Sequence, residues 1–236
     1  MTSLIIEREA TLAAGFTVPL RQAGEGEPVL LLHGGAGPDS VTATIEHFAR
    51  DNFVLAPTHP GWQGVPRPDA VRSVADLAAG YLGLLEQLEL SDVTVIGTSF
   101  GGWVAAELAL QDGAGLVGRL VLVGAIGPRI DGQPVQAPPA PPPGQSGTGM
   151  AALFEYTGPG FDDPGLLARM ADMKLPALLL WGSEDGVVSP AFGREYAASL
   201  PNARFEVVDG AGHLPMREAP GDTFAAIDGF LAGARV

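Results

Sequence analysis

The feature that most constrains this chain is a series of short, unbroken apolar runs. Val29-Leu-Leu-Leu32, Phe53-Val-Leu-Ala56, Val93-Thr-Val-Ile96, Leu120-Val-Leu-Val123, Ala177-Leu-Leu-Leu-Trp181 and Arg204-Phe-Glu-Val-Val208 are the clearest. Each is bounded by glycine, proline or charge, and runs of this kind suit strands buried on both faces of a parallel sheet. Helix-like stretches lie between most of them, at 39–50, 69–89, 101–112, 190–200 and 218–233, giving a repeating β-α order. Segments 4–9 and 14–22 read as an antiparallel hairpin that opens the sheet. The expected fold class is therefore α/β, a doubly wound, mostly parallel sheet of about eight strands with helices on both faces.

Local signals agree with that order. Pro190 opens the 190–200 helix where its missing N–H costs nothing, and Pro201 follows the helix end. Val74, Leu77, Ala78, Tyr81, Leu84, Leu85 and Leu88 recur at i, i+3, i+4 spacing, a face for packing on the sheet. With 236 residues the chain is expected to form one domain over 1–236. That domain carries a reduced, Pro/Gly-rich insertion at about 128–174. Residues 137–149 hold five prolines and three glycines, so neither helix nor strand is expected there.

The net charge of −14 argues against nucleic acid and anionic membrane as partners. The absence of cysteine excludes disulfides, thiolate zinc sites and thiol catalysis. Acidic residues interrupt Met1–Glu9 where an export signal would continue its apolar core, and no stretch approaches the ~18 apolar residues of a membrane span. A cytoplasmic location is the expectation.

The chemistry gathers around Ser99. Gly97-Thr98-Ser99-Phe100-Gly101 follows the run ending at Ile96 and precedes the helix-like stretch from Gly102 to Gln111. Strand, sharp turn and helix in that order make G-x-S-x-G a nucleophile candidate. Two glycines are needed because the strand and helix backbones approach closely around the serine. The Phe100 N–H then sits at the head of a helix, where negative charge is favoured. Serine is a weak nucleophile without an oriented base. His213, in the small-residue loop Gly210-Ala-Gly-His213-Leu-Pro, is the candidate for that base, and Asp185, in Trp181-Gly-Ser-Glu-Asp185-Gly-Val-Val, is the candidate for its orienting acid. Glu184 is the fallback for the acid. In His33-Gly34-Gly35-Ala36-Gly37-Pro38, the Gly35 N–H is the second candidate oxyanion donor beside Phe100, and His33 fixes the loop by hydrogen bonding. The loop lacks G-x-G-x-x-G spacing and any G-K-[ST], which argues against a phosphate site. His47 and His59 have no partners at metal-ligand spacing, so neither metal nor cofactor is expected.

These pieces resemble the α/β-hydrolase superfamily of the serine-nucleophile type. The resemblance rests on His33-Gly34, Ala56-Pro-Thr-His-Pro-Gly-Trp-Gln-Gly64, Gly97–Gly102, Leu178–Asp185 and Gly210–Pro215, from about residue 25 onward. It implies Ser99 as nucleophile, His213 as base, Asp185 as orienter, and Gly35 and Phe100 as oxyanion donors. The implied substrate is a small acyl compound, cleaved as a carboxylic ester or related acyl bond through a covalent acyl-enzyme. Proline iminopeptidase-like activity, C–C bond hydrolysis and non-catalytic ligand binding on the same fold are the alternatives. Two departures stand out. The cap between the sixth and seventh strands is short, so a small or mobile lid is expected. Thr58-His59-Pro60 stands where relatives often have an aspartate, which puts His59 near the site entrance. Trp62, Phe100, Trp103, Phe154, Tyr156 and Trp181 are candidates for an apolar acyl pocket, or for core.

Overall fold

A computed structural model of the chain describes residues 4–12, 15–136 and 149–233. The first half runs β1 (Ile6–Thr11), β2 (Thr17–Ala23), β3 (Glu27–Leu32), a 3-10 turn (Pro38–Val41), α1 (Thr42–Phe48), β4 (Asn52–Pro57), α2 (Val74–Gln87), β5 (Val93–Thr98), α3 (Phe100–Gln111) and β6 (Val117–Val123). An insertion follows, with β7 (Gly127–Pro128), α4 (Gly149–Thr157), β8 (Asp162–Asp163) and α5 (Leu166–Met170). The chain then returns to the sheet through β9 (Ala177–Gly182), α6 (Pro190–Ala198), β10 (Ala203–Val208), α7 (Pro215–Glu218) and α8 (Pro220–Gly233).

The main sheet has eight strands in the order β1-β2-β4-β3-β5-β6-β9-β10. Its first two pairings, β1 with β2 and β2 with β4, are antiparallel, and the others are parallel. Side chains alternate between two cores. Leu30, Leu32, Val95, Leu120, Leu122, Leu179 and Trp181 face the layer built by α2, α3 and α6. Val29, Leu31, Ile96, Val121, Val123, Leu178 and Leu180 face the layer of α1 and α8. Burial on both faces is why these strands read as continuous apolar runs.

The expected elements appear, with α2 beginning five residues later than expected and the other ends shifted by less. The 39–50 stretch divides into a 3-10 turn and α1, and the hairpin strands begin two to three residues later than expected. On α2 the stripe is buried except for Leu88, which caps the helix and is exposed. Gly149, counted in the proline-rich tract, is the first residue of α4, whereas 137–148 lie outside the described residues. The two-residue ladder of β7 and β8 had no signal in the sequence, being too short for any periodicity. Among the described residues no helix is long and apolar enough to cross a membrane.

This strand order fixes where a site can form. From β3 the chain goes to β4 on one side and then to β5 on the other, so the loops after β3 and β5 diverge over a crevice at the carboxyl edge. Gly34 follows β3 and Ser99 follows β5. Their strands are paired directly, with Leu32 opposite Gly97.

Candidate active site

Ser99 caps α3 with φ 53° and ψ −118°, a conformation costing on the order of 1–3 kcal/mol for a residue with a Cβ. The surrounding backbone over-determines it. A Cβ on Gly97 would run into the Gly101 carbonyl, and one on Gly101 into the carbonyls of Leu32 and His33. A Cβ on Gly34 would stand 2.9 Å from that of Ser99. The crowding inferred from the pentapeptide is thus physical, and it brings the loop after β3 against the serine.

His213 and Asp185 reach the same point from other strands. The Ser99 hydroxyl lies 2.9 Å from His213 Nε2. His213 Nδ1 lies 2.9 and 3.0 Å from the two oxygens of Asp185. The Asp185 carboxylate is shut off from solvent, and its Oδ1 also accepts the N–H groups of Val187 and Val188 at 2.8 and 3.0 Å. Glu184, by contrast, is exposed, with its backbone N–H tied to Ala211. A further residue, Glu218, brackets the histidine loop by accepting from Gly212 N–H at 2.6 Å and Leu214 N–H at 3.0 Å. Sequence reasoning missed it, although an acid five residues beyond the histidine on a one-turn helix was a usable signal.

Beneath the loop after β3 lies a buried histidine pair, with ring centroids 3.9 Å apart. His33 Nδ1–H donates to the Gly34 carbonyl at 2.8 Å, and its Nε2 accepts the His59 backbone N–H at 3.0 Å. His59 Nε2–H donates to the His33 carbonyl at 2.9 Å, and its Nδ1 accepts the Tyr81 hydroxyl at 2.6 Å. Burial disfavours the charged forms. It holds His33 well below its ordinary pKa, helped by the neighbouring His59, and His59 is lowered to about 3. His33 therefore fixes the loop as expected, whereas His59 is fully buried under that loop, so its expected place near the site entrance is corrected.

A cavity of about 280 Å³ opens over Ser99 and His213. Its lining includes Ile126, Met150, Leu153, Phe161 and Val187 together with Gly35. None of the six aromatic candidates lines it. Trp62, Phe100 and Tyr156 form a buried cluster of three mutually contacting rings, and Trp62 donates its indole N–H to the Gly35 carbonyl at 3.1 Å. Trp181 packs against Phe192 and Phe205, and Phe154 meets Phe161 edge-on. Trp103 lies along a separate cleft with Glu107 and Arg169. Large aromatic rings were drawn to the core by their area, leaving Phe161 to face the cavity. Among the described residues no group of three or more His, Asp or Glu could hold a metal ion.

The sequence profile of the alpha/beta hydrolase family matches residues 29–227. A 2-hydroxymuconate semialdehyde hydrolase of Pseudomonas putida is 29% identical over 226 residues, 90% of this chain and 73% of that protein. Two solved structures share the fold. A meta-cleavage product hydrolase from Pseudomonas fluorescens IP01 has a TM-score of 0.80 at 21% identity, covering 97% of this chain and 98% of that one. A thermophilic esterase from Thermogutta terrifontis has a TM-score of 0.79 at 21% identity, covering 98% and 100%. With that profile spanning both the Ser99 turn and the His213 loop, the chain belongs to the alpha/beta hydrolase family.

Proposed function

We propose that the protein is a serine hydrolase that cleaves uncharged carboxylic esters with a small apolar acyl group. The observation that carries this reading is the hydrogen-bonded line from Ser99 through His213 to Asp185 at the floor of the cavity. In the proposed reaction Ser99 Oγ attacks the ester carbonyl while His213 Nε2 takes the hydroxyl proton. Asp185 holds the Nδ1–H tautomer and stabilises the imidazolium that forms. The Gly35 and Phe100 N–H groups receive the oxyanion, and His213 returns its proton to the departing alcohol. Water then repeats the sequence on the acyl-enzyme and releases the acid.

Charge separates this reading from that suggested by the Pseudomonas putida relative, whose named substrate is a semialdehyde of a carboxylic acid. His213 is the sole ionisable side chain among the lining residues, and residues 137–148 contain no lysine or arginine. An anionic acyl chain would be buried there without a countercharge, which is costly. Among the described residues the lining has no carboxylate to receive the ammonium of an N-terminal proline either. The modest volume also favours small acyl groups.

A matched pair of p-nitrophenyl esters tests this, one with a butyryl group and one with a terminal carboxylate on the same chain length. The neutral ester is expected to have kcat/KM about 100-fold higher or more, a difference of roughly 3 kcal/mol. Equal rates, or preference for the anion, would overturn the substrate assignment.

A further inference from the structure

We infer that His59 is a positioning residue for acyl transfer, aiming the Gly35 N–H at the reacting oxygen through a chain of hydrogen bonds that begins at Tyr81. The inference rests on the acyl-transfer reading and adds to it the device that orients one oxyanion donor.

A carbonyl can only accept, so the His59 Nε2 that lies 2.9 Å from the His33 carbonyl carries the ring proton. In the neutral ring Nδ1 is then bare, and the Tyr81 hydroxyl donates to it at 2.6 Å. The His59 backbone N–H points at His33 Nε2 at 3.0 Å, so that nitrogen is bare as well. The His33 proton therefore sits on Nδ1 and is donated to the Gly34 carbonyl at 2.8 Å. Gly37 N–H donates to the same carbonyl at 3.0 Å.

The last step is covalent geometry. Gly34 C=O and Gly35 N–H belong to one planar trans peptide, so they point in opposite directions. Drawing the carbonyl down onto His33 turns the Gly35 N–H outward, on the side where Gly35 lines the cavity with Ser99 and His213. Among the described residues no hydrogen bond occupies that N–H. Trp62 fixes the next peptide by donating to the Gly35 carbonyl, so both planes flanking Gly35 are held. His59 stands at the point where the chain departs from the pattern it resembles. A carboxylate there would accept from Tyr81 and from the backbone but could not donate to the His33 carbonyl. The neutral ring does both.

A donor that aligns only with the oxyanion acts on kcat, and removing one outright costs about 100- to 1,000-fold. His59→Leu removes the donor to the His33 carbonyl, whereas His59→Gln keeps an amide N–H at a comparable reach. With a small p-nitrophenyl ester, His59→Leu is expected to lower kcat by about 10- to 100-fold with KM within about twofold of wild type, and His59→Gln to recover most of the loss. A folded His59→Leu enzyme with unchanged kcat overturns the inference, as does a loss that resides in KM alone. If His59→Leu does not fold, the wild-type chain still decides: nitrogen-15 NMR at pH 7.5 must find His33 protonated on Nδ1 and His59 on Nε2. The reverse tautomer at either ring overturns the inference without reference to activity. Full activity in Ser99→Ala would instead remove the acyl-transfer reading beneath it, so the two failures are distinguishable.

Discussion

At the scale of single residues, Asp185 shows how position selects between neighbours of like chemistry. Glu184 and Asp185 are adjacent carboxylates, yet one faces solvent and the other is enclosed and saturated with donors. Asp185 precedes the Gly-Val-Val turn, and that turn supplies two of the three partners of its carboxylate. Asp185→Asn is expected to lower kcat by about 10⁴-fold, since an amide offers the imidazole an N–H and inverts its tautomer. Glu184→Gln is expected to leave turnover within about twofold. Paired steady-state assays check this, and equal losses at both positions would contradict the assignment. Tyr81 marks the limit of residue-level reading. Tyr81 lies on a helix stripe that packing alone explains, and nothing in its spacing announces that its hydroxyl faces a histidine 22 residues away.

At the scale of elements, legibility followed burial. Strands enclosed on both faces left runs that specify them directly, and Pro190 marked the start of α6, which Ser189 caps. The insertion was less readable because its organisation rests on charge pairs rather than periodicity. Arg169 of α5 binds the buried Glu107 of α3 through two nitrogens, at 2.8 and 2.5 Å, and Asp163 at 2.5 Å. This fastens the insertion to the helix that begins beside Ser99, and no spacing rule joins residues so far apart in sequence. Arg169→Ala would leave the Glu107 carboxylate buried without its cation, at a cost of about 2 kcal/mol. Adding Glu107→Leu should recover part of that loss by removing the stranded charge. Urea unfolding of both variants measures it, and an Arg169→Ala protein as stable as wild type would contradict the clasp.

At the scale of the whole molecule, the two neutral histidines couple folding to acidity. Their folded pKa values lie below the unfolded value of about 6.5, so under that pH the unfolded chain binds protons that the native state refuses. Stability is therefore full above about pH 6.5 and is lost as the pH falls toward the folded values. For His59 the loss is on the order of 1.4 kcal/mol per pH unit, and His33 acts in the same direction. Urea midpoints at pH 7.5, 6 and 5 should fall in that order, with a shallower fall in His59→Gln; a flat profile would show that the pair is not held neutral by the fold. The same architecture gathers the loops after β3, β5, β9 and β10 at one edge, so that residues from four parts of the chain meet at Ser99. The most direct test of that convergence is intact-mass and peptide-level analysis after exposure to a fluorophosphonate. One adduct per chain is expected, on Ser99, absent in Ser99→Ala and formed far more slowly in His213→Ala. An unlabelled wild-type protein, or an adduct that persists in Ser99→Ala, would contradict it.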